Sequence, residues 1–143
     1  MNNFIKIFHS HNRNLILLLL AVVILFSILG LLLKKPWQKH QKIFNLLFLI
    51  SMEIQFVLGL ALYFIISDLG LKAFLNPAVN VMKEAAYRQI AVEHFILMFA
   101  AWIVMHIGYI KIKKSDNKNA TVIIYYGITL VLILLGIPWS KIA

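Results

Sequence analysis

Four long apolar runs divide the chain, and charged or helix-breaking residues end each of them. A helix needs about 20 predominantly apolar residues to cross the hydrocarbon core of a bilayer. The runs cover about residues 14–33, 43–66, 90–110 and 120–137. The pattern therefore predicts an all-α polytopic membrane protein in which residues 1–143 form a single domain, a bundle of four transmembrane helices. The first run is longer than the apolar core of a signal peptide and lacks a small-residue cleavage pattern, so we expect it to be retained.

The composition excludes an ordinary water-soluble fold. Hydrophobic residues make up 62% of the chain and charged residues 13%, whereas soluble domains have about 45–50% apolar and about 25% charged residues. The net charge is +9, and basic residues beside apolar spans are expected to meet anionic lipid headgroups. The basic balance therefore indicates a lipid bilayer as partner and no nucleic acid. The chain has no Cys, so any metal must be bound through His or oxygen ligands.

The lysines predict how the four helices are oriented. The two short connections, after the first and third runs, carry eight of them: Lys34, Lys35, Lys39, Lys42, Lys111, Lys113, Lys114 and Lys118. The opposite side carries six Lys and Arg spread over more residues. By the positive-inside rule, both short connections are cytoplasmic, and the N and C termini and the long connection at residues 67–89 are external.

The long connection has room for structure outside the membrane. Asn76-Pro77 predicts a turn, and Asn80 is a candidate N-cap for a helix that begins at Val81. We expect this helix to continue without a break into the third span.

Polar residues inside the spans are costly in hydrocarbon and therefore mark packing surfaces or sites. Two helix faces carry small and polar residues at helical spacing: Ser51, Gln55, Gly59 and Tyr63 in the second span, and Thr121, Tyr125, Thr129 and Gly136 in the fourth. We interpret both stripes mainly as packing surfaces. Glu53 lies near mid-membrane on a different face from Gln55. It is either a protonated carboxyl bonded to a neighbour, a contact with another subunit, or a proton-relay or cofactor-contact group.

The five histidines carry the strongest chemical signal. His9, His11 and His94 are all predicted near the external side, because the first and third spans run in the same direction. Two imidazoles from two helices are the axial ligands that a b-type heme in a bundle requires. We therefore predict that His94 and either His9 or His11 bind the iron. The competing interpretation is that these histidines are headgroup-level polar residues or packing residues.

Other polar residues extend this candidate site. Arg13 and Arg88 lie at about the level of the histidines and could pair with heme propionates. Glu93 could hold the second nitrogen of an imidazole. A second heme would need His106 on the same face as His94, but twelve residues turn a helix by about 120°. One heme is therefore favoured over two.

Four short motifs carry a resemblance to a known family: HSHNR at residues 9–13, QFVLGLALYF at 55–64, EH at 93–94 and GIPW at 136–139. The chain resembles small four-span bacterial membrane proteins of the Bacteroidota type, which are usually labelled cytochrome b-like. It is also distantly similar to half of a heme A synthase bundle, and in size to small assembly factors of terminal oxidases. The resemblance implies a heme-associated bundle in the bacterial inner (cytoplasmic) membrane, and it adds Gln55 to the candidate cofactor-binding residues.

These features predict an integral membrane protein that binds heme b. It would pass electrons between a quinol or a partner cytochrome and a larger respiratory membrane complex. The alternatives are a non-catalytic accessory or assembly subunit that packs its polar stripes against other membrane subunits, and a small transporter or channel that uses Glu53. The chain has no phosphate-binding loop, nucleophile elbow or HExxH motif, so no catalytic residue is predicted.

Overall fold

The computed structural model describes residues 2–141 as a helical chain. Its helices are, in chain order, α1 (Asn2–Leu32), α2 (Lys39–Ala61), α3 (Leu71–Leu75), α4 (Ala85–Arg88), α5 (Phe95–Lys114) and α6 (Lys118–Gly136). Two π-helical segments extend this set: Leu62–Ile66 prolongs α2, and Gln89–His94 joins α4 to α5. A 3-10 turn at Trp139–Lys141 follows α6.

Four helical stretches are long and apolar enough to cross a membrane: Asn3–Leu32, Lys39–Leu75, Ala85–Lys114 and Lys118–Gly136. The predicted all-α fold with four candidate membrane spans is thus confirmed for residues 2–141. Large apolar side chains cover the outside of the bundle, among them Leu18 (61% exposed), Val57 (65%), Ile65 (70%) and Leu135 (67%). An apolar outer surface of this extent suits lipid as the surrounding solvent.

The long helices pack around the bundle in the order α2, α1, α6, α5. α1 contacts both α2 and α6 extensively, and α5 packs extensively against α6. The fully buried side chains at these contacts include Leu20, Val23, Phe48, Met105, Val122 and Tyr126. In contrast, α2 and α5 touch at few positions. The bundle is therefore loosely closed along one side.

A buried polar network holds together the end of the bundle that carries the two short connections. We call this region the closed end and define it by Gln41, Asn45, Asn119 and Tyr126. Gln41 Nε2 donates to Asn119 Oδ1 (2.8 Å), and Asn119 Nδ2 donates to Lys35 O (3.2 Å). Tyr126 OH donates to Asn45 Oδ1. All four side chains are buried, and their bonds link α2 to α6 and α6 to the connection that follows α1.

α5 and α6 approach each other closely at two glycines. A Cβ at Gly108 would lie 2.6 Å from Tyr125 Cβ, and a Cβ at Gly136 would lie 2.9 Å from Leu97 Cβ. Neither position has room for a side chain, so the glycines allow the two helices to pack. Gly136 belongs to the stripe in the fourth span, which packs here as expected.

α1 is longer than its apolar run. It begins at Asn2, although the apolar run starts at about residue 14. His9 and His11 therefore both lie on the helix itself. Two residues correspond to a rotation of about 200°, so the two imidazoles leave α1 on nearly opposite faces.

The helix that leads into the third span begins later than predicted. It starts at Ala85, and not at Val81, because the intervening residues form a turn. The Asn80 carbonyl accepts from Lys83 N (3.1 Å) and from Glu84 N (2.9 Å), and the Glu84 side chain accepts from Asn80 N (2.9 Å). From Ala85 the chain remains helical into α5, as predicted.

Candidate functional site

The loose contact between α2 and α5 leaves a cleft at the end of the bundle opposite the closed end. It has a volume of about 410 Å³ and mainly apolar walls. We call it the histidine cleft and define it by the polar residues His9, Arg13, Gln55, Tyr63 and His94, which all line it. Binding sites for cofactors have volumes of about 300–1,000 Å³ and the same combination of apolar walls with a few polar groups. The cleft is therefore the candidate site of the chain.

His94 is held in one tautomer by the last turn of α6. Its Nδ1 lies 2.8 Å from Gly136 O. A carbonyl oxygen can only accept, so Nδ1 carries the hydrogen and Nε2 keeps its lone pair. A hydrogen bond of this kind orients the imidazole ligands of metal sites and raises their basicity. A metal bound at His94 would therefore be held through Nε2.

His9 faces His94 across the cleft. The centroids of the two rings are 6.5 Å apart, and the ring planes are inclined by 75°. Within residues 2–141, His9 Nδ1 is buried and has no hydrogen-bond partner. Gly59 lies beside the ring, since a Cβ there would be 3.6 Å from His9 Cε1. α2 therefore runs close to the imidazole without a side chain over it.

An amide network on α1 and α2 positions His9. Asn12 Nδ2 donates to Ser51 O and to Gln55 Oε1, both at 2.9 Å. Because Gln55 Oε1 accepts from Asn12, the amide nitrogen of Gln55 faces His9. This nitrogen donates to the His9 backbone oxygen at 3.0 Å and lies 3.4 Å from Nε2 of the His9 ring. Gln55, added to the site by the resemblance, thus contacts His9 directly.

Asn12 is the site residue that the sequence interpretation missed. It is buried beside the cleft, three residues after His9 and therefore on nearly the same face of α1. The sequence feature that could have identified Asn12 is a side-chain amide three residues after a candidate ligand, a spacing that places both on one face of a helix. The spacing has this meaning only if α1 is helical from before residue 9, which the apolar run alone does not indicate.

The two candidate arginines lie in different places. Arg13 lines the cleft, and its guanidinium donates to Asn14 Oδ1 at 3.1 and 3.3 Å. Arg88 instead pairs with Glu93 (3.1 Å) and donates to Met82 O (2.9 Å). Glu93 is thus engaged with Arg88, while Gly136 takes the position next to His94 that we had considered for Glu93.

The remaining histidines lie outside the histidine cleft. His11 is exposed on the opposite side of α1 from His9, and His40 packs its ring against Phe26 with centroids 4.8 Å apart. His106 Nδ1 donates to Trp102 O (2.8 Å), and its Nε2 is in contact with Glu53 Oε1. Of the three candidate ligands, the structure therefore brings His9 and His94 together and leaves His11 apart.

Comparisons with known proteins do not identify this site. No family model, no curated protein and no solved structure matches the chain. The function is therefore inferred from the residues of the cleft.

Proposed function

We propose that the protein is an integral membrane b-type heme protein that passes electrons to or within a respiratory membrane complex, with His9 and His94 as axial ligands. The observation that carries the proposal is the pairing of these two imidazoles across an apolar cleft. They come from α1 and from the end of the π-helical segment that leads into α5, and α1 and α5 do not lie next to each other in the bundle.

The separation of the rings suits one metal ion between them. When two imidazole nitrogens bind a metal from opposite sides at about 2 Å each, the ring centroids lie about 6 Å apart. The observed value is 6.5 Å. His94 Nε2 is free to bind because Nδ1 is engaged by Gly136 O.

The number of protein ligands favours a macrocycle over a bare metal ion. Residues 2–141 contain no group of three or more His, Cys, Asp or Glu side chains that could hold a metal. Protein-only sites usually use three or four ligands, whereas a porphyrin supplies four nitrogens and needs only axial ligands. Two imidazoles without a third protein ligand would suit the axial positions of a heme.

The rest of the cleft fits a flat apolar cofactor with an acidic edge. Phe56, Phe95 and Trp102 are among the aromatic residues in its walls, and Lys6, Arg13 and Lys141 line it near the chain termini. These cations would bind propionates, while the aromatic walls would exclude water. When bound, heme iron supplies one-electron redox chemistry. The chain would orient it through His9 and His94 and support His9 through Gln55 and Asn12.

A consistent topology follows from the lysine-rich connections. We place these connections in the cytoplasm and the termini, with the histidine cleft, on the external side of the bacterial inner membrane. The cleft would then exchange electrons near the outer leaflet with a quinol or a partner cytochrome, and on to other membrane subunits.

Absorption spectroscopy of the detergent-purified protein tests this proposal. We expect a reduced-minus-oxidised b-type spectrum that is lost in His9→Ala and in His94→Ala. His11→Ala and His40→Ala are matched controls, because these imidazoles lie outside the cleft, and both should keep the spectrum. Gel filtration of each variant confirms that the bundle is intact.

Two results would count against the proposal. A protein that stays colourless after reconstitution with heme b would exclude heme binding, and co-purification of such a protein with partner subunits would favour the accessory-subunit alternative. Loss of the spectrum in His11→Ala but not in His9→Ala would show that the ligand lies on the face of α1 opposite the histidine cleft, and it would contradict the role proposed for His9.

A further inference from the structure

Tyr63 contacts the polypeptide on both sides of His94. It lies in the π-helical segment that prolongs α2, and it lines the histidine cleft. Its hydroxyl donates to Ala91 O at 2.8 Å. Its ring stacks on Phe95, the residue after His94, with centroids 4.2 Å apart and planes inclined by 26°. One side chain of the second span thus holds the backbone that carries His94.

The Tyr63 hydroxyl takes the place of a backbone donor in the segment that leads into α5. Gln89–His94 is π-helical, and Phe95 N donates to Val92 O. In a regular α-helix, Phe95 N would donate to Ala91 O, four residues back. Ala91 is buried, and a buried carbonyl without a donor costs free energy. The bond from Tyr63 therefore stabilises the wide turn before α5.

The backbone of Tyr63 is itself held in place. Ser67 N donates to Leu62 O at 2.7 Å, which closes the π-helical segment. The connection then folds back over Tyr63, where a Cβ at Gly70 would collide with the Tyr63 carbonyl. Glycine allows this close approach. The position of the Tyr63 ring is therefore set by its own span and by the long connection.

The same face of the second span also contacts His9. Gln55 Nε2 donates to His9 O at 3.0 Å, and Gly59 lies beside the His9 ring. Gln55, Gly59 and Tyr63 follow one another at intervals of four residues and therefore lie along one side of the helix. This side reaches His9 at one point and the segment of His94 at another. α1 and α5 do not lie next to each other, so the separation of the two rings depends on the helices between them.

We infer that Tyr63 is a positioning residue for His94. Together with Gln55 at His9, it lets the second span set the distance between the two rings, whose centroids are 6.5 Å apart. Gly136 O orients the His94 ring, and Tyr63 holds the backbone that carries it. The inference rests on the proposed function in that these rings would be the axial ligands, but the state of His94 can be measured without heme.

Loss of the hydroxyl should release the wide turn. In Tyr63→Phe, Ala91 O loses its side-chain donor, and Phe95 N can reach it if the segment winds into a regular α-helix. The backbone at His94 then rotates, and the bond from His94 Nδ1 to Gly136 O weakens. The tautomer with its hydrogen on Nε2 becomes populated, and in this tautomer Nε2 has no free lone pair for a metal.

Nitrogen magnetic resonance of the histidine rings tests this in the heme-free, full-length protein in nanodiscs. The chain has five His, and His94→Ala assigns the signals of His94. At alkaline pH the imidazoles are neutral, and the wild-type protein should give two widely separated ring nitrogen signals for His94, typical of one tautomer. In Tyr63→Phe these signals should move towards each other. 4-Aminophenylalanine in place of Tyr63 keeps a donor and should restore the wild-type separation.

Two controls separate positioning from a general loss of structure. Tyr109→Phe removes a hydroxyl near the other end of α5, outside the cleft, and should leave the His94 signals unchanged. 4-Methylphenylalanine in place of Tyr63 fills the volume of the hydroxyl without donating. It should reproduce the spectrum of Tyr63→Phe, and it makes the same test if Tyr63→Phe does not fold.

Heme titration adds a second readout. Tyr63→Phe should bind heme about tenfold more weakly than the wild-type protein, as is common when a residue that supports a metal ligand is lost. A wild-type protein that shows the expected histidine signals but binds no heme would refute only the proposed function.

Four results would overturn the inference. These are averaged His94 signals in the wild-type protein, unchanged signals in Tyr63→Phe, an equal change in Tyr109→Phe, and failure of the 4-amino group to restore the wild-type spectrum. A heme-binding protein whose affinity is the same in Tyr63→Phe would equally overturn it.

Discussion

The two ends of the bundle use polar side chains in opposite ways. At the closed end, Gln41, Asn45, Asn119 and Tyr126 are buried and bond to one another or to the backbone. In the histidine cleft, His9 Nδ1 has no partner within residues 2–141, and the lining is accessible from outside the bundle. The polar residues of the closed end thus hold helices together with completed bonds, whereas those of the histidine cleft would leave a position open for the proposed ligand.

A substitution that disturbs the close packing of α5 and α6 near the closed end should have the largest effect on stability. Gly108→Ala places a Cβ 2.6 Å from Tyr125 Cβ, so α5 and α6 must separate, and we expect the free energy of unfolding to fall by about 2 kcal/mol. Gly127→Ala is the matched control, because nothing lies within 4 Å of its Cβ, and it should raise stability by about 0.5–1 kcal/mol. Denaturant unfolding in detergent measures both. Equal effects would show that the α5–α6 approach is not tight.

The same substitution at the two ends should separate structure from function. Gln41→Leu leaves Asn119 Oδ1 without its buried donor, and we expect a loss of about 1–2 kcal/mol in unfolding free energy. The heme spectrum should not change, because Gln41 is far from the cleft. A shifted spectrum in this variant would show that the two ends are coupled.

Gln55→Leu should give the reverse result. It removes the donor to His9 O and the acceptor of Asn12, in a region that is only partly buried, so we expect a loss of stability below about 1 kcal/mol. Heme affinity should fall about tenfold, as residues that support metal ligands commonly show. Heme titration of the apoprotein measures this, and unchanged affinity would mean that Gln55 does not orient His9.

The smallest effect is expected where α1 ends. Lys34 has φ of 52°, a left-handed conformation that costs a non-glycine residue about 1 kcal/mol. Part of that cost is offset because glycine is more flexible when unfolded, so Lys34→Gly should stabilise the protein by about 0.5 kcal/mol. Lys35→Gly, at a position without positive φ, should not stabilise it. A loss of stability in Lys34→Gly would show that the Lys34 side chain makes a contact of its own.

The fold was readable from the sequence because hydrocarbon demands long apolar helices, and four such runs have one simple arrangement. The sequence also places His94 and the N-terminal histidines at the same end of the bundle, because the first and third spans run in the same direction. The choice of His9 over His11 does not follow from the sequence, because it depends on a helix that begins at Asn2, before the apolar run. Nor does the sequence reveal that Gly136 O holds His94.

The pairing of Glu53 with His106 could likewise not be predicted from the sequence. Each residue stands out in its own span, but the contact depends on how α2 faces α5. Helix periodicity fixes which residues share a face and not which faces meet. Contacts between helices therefore come from packing.

Electron paramagnetic resonance of the oxidised protein, reconstituted with heme b, tests the central claim most directly. If His9 and His94 both bind the iron, the wild-type protein gives a low-spin, six-coordinate ferric signal, and His9→Ala converts it to a high-spin signal while His11→Ala does not. A high-spin signal from the wild-type protein, or a low-spin signal that survives in His9→Ala, would contradict the claim.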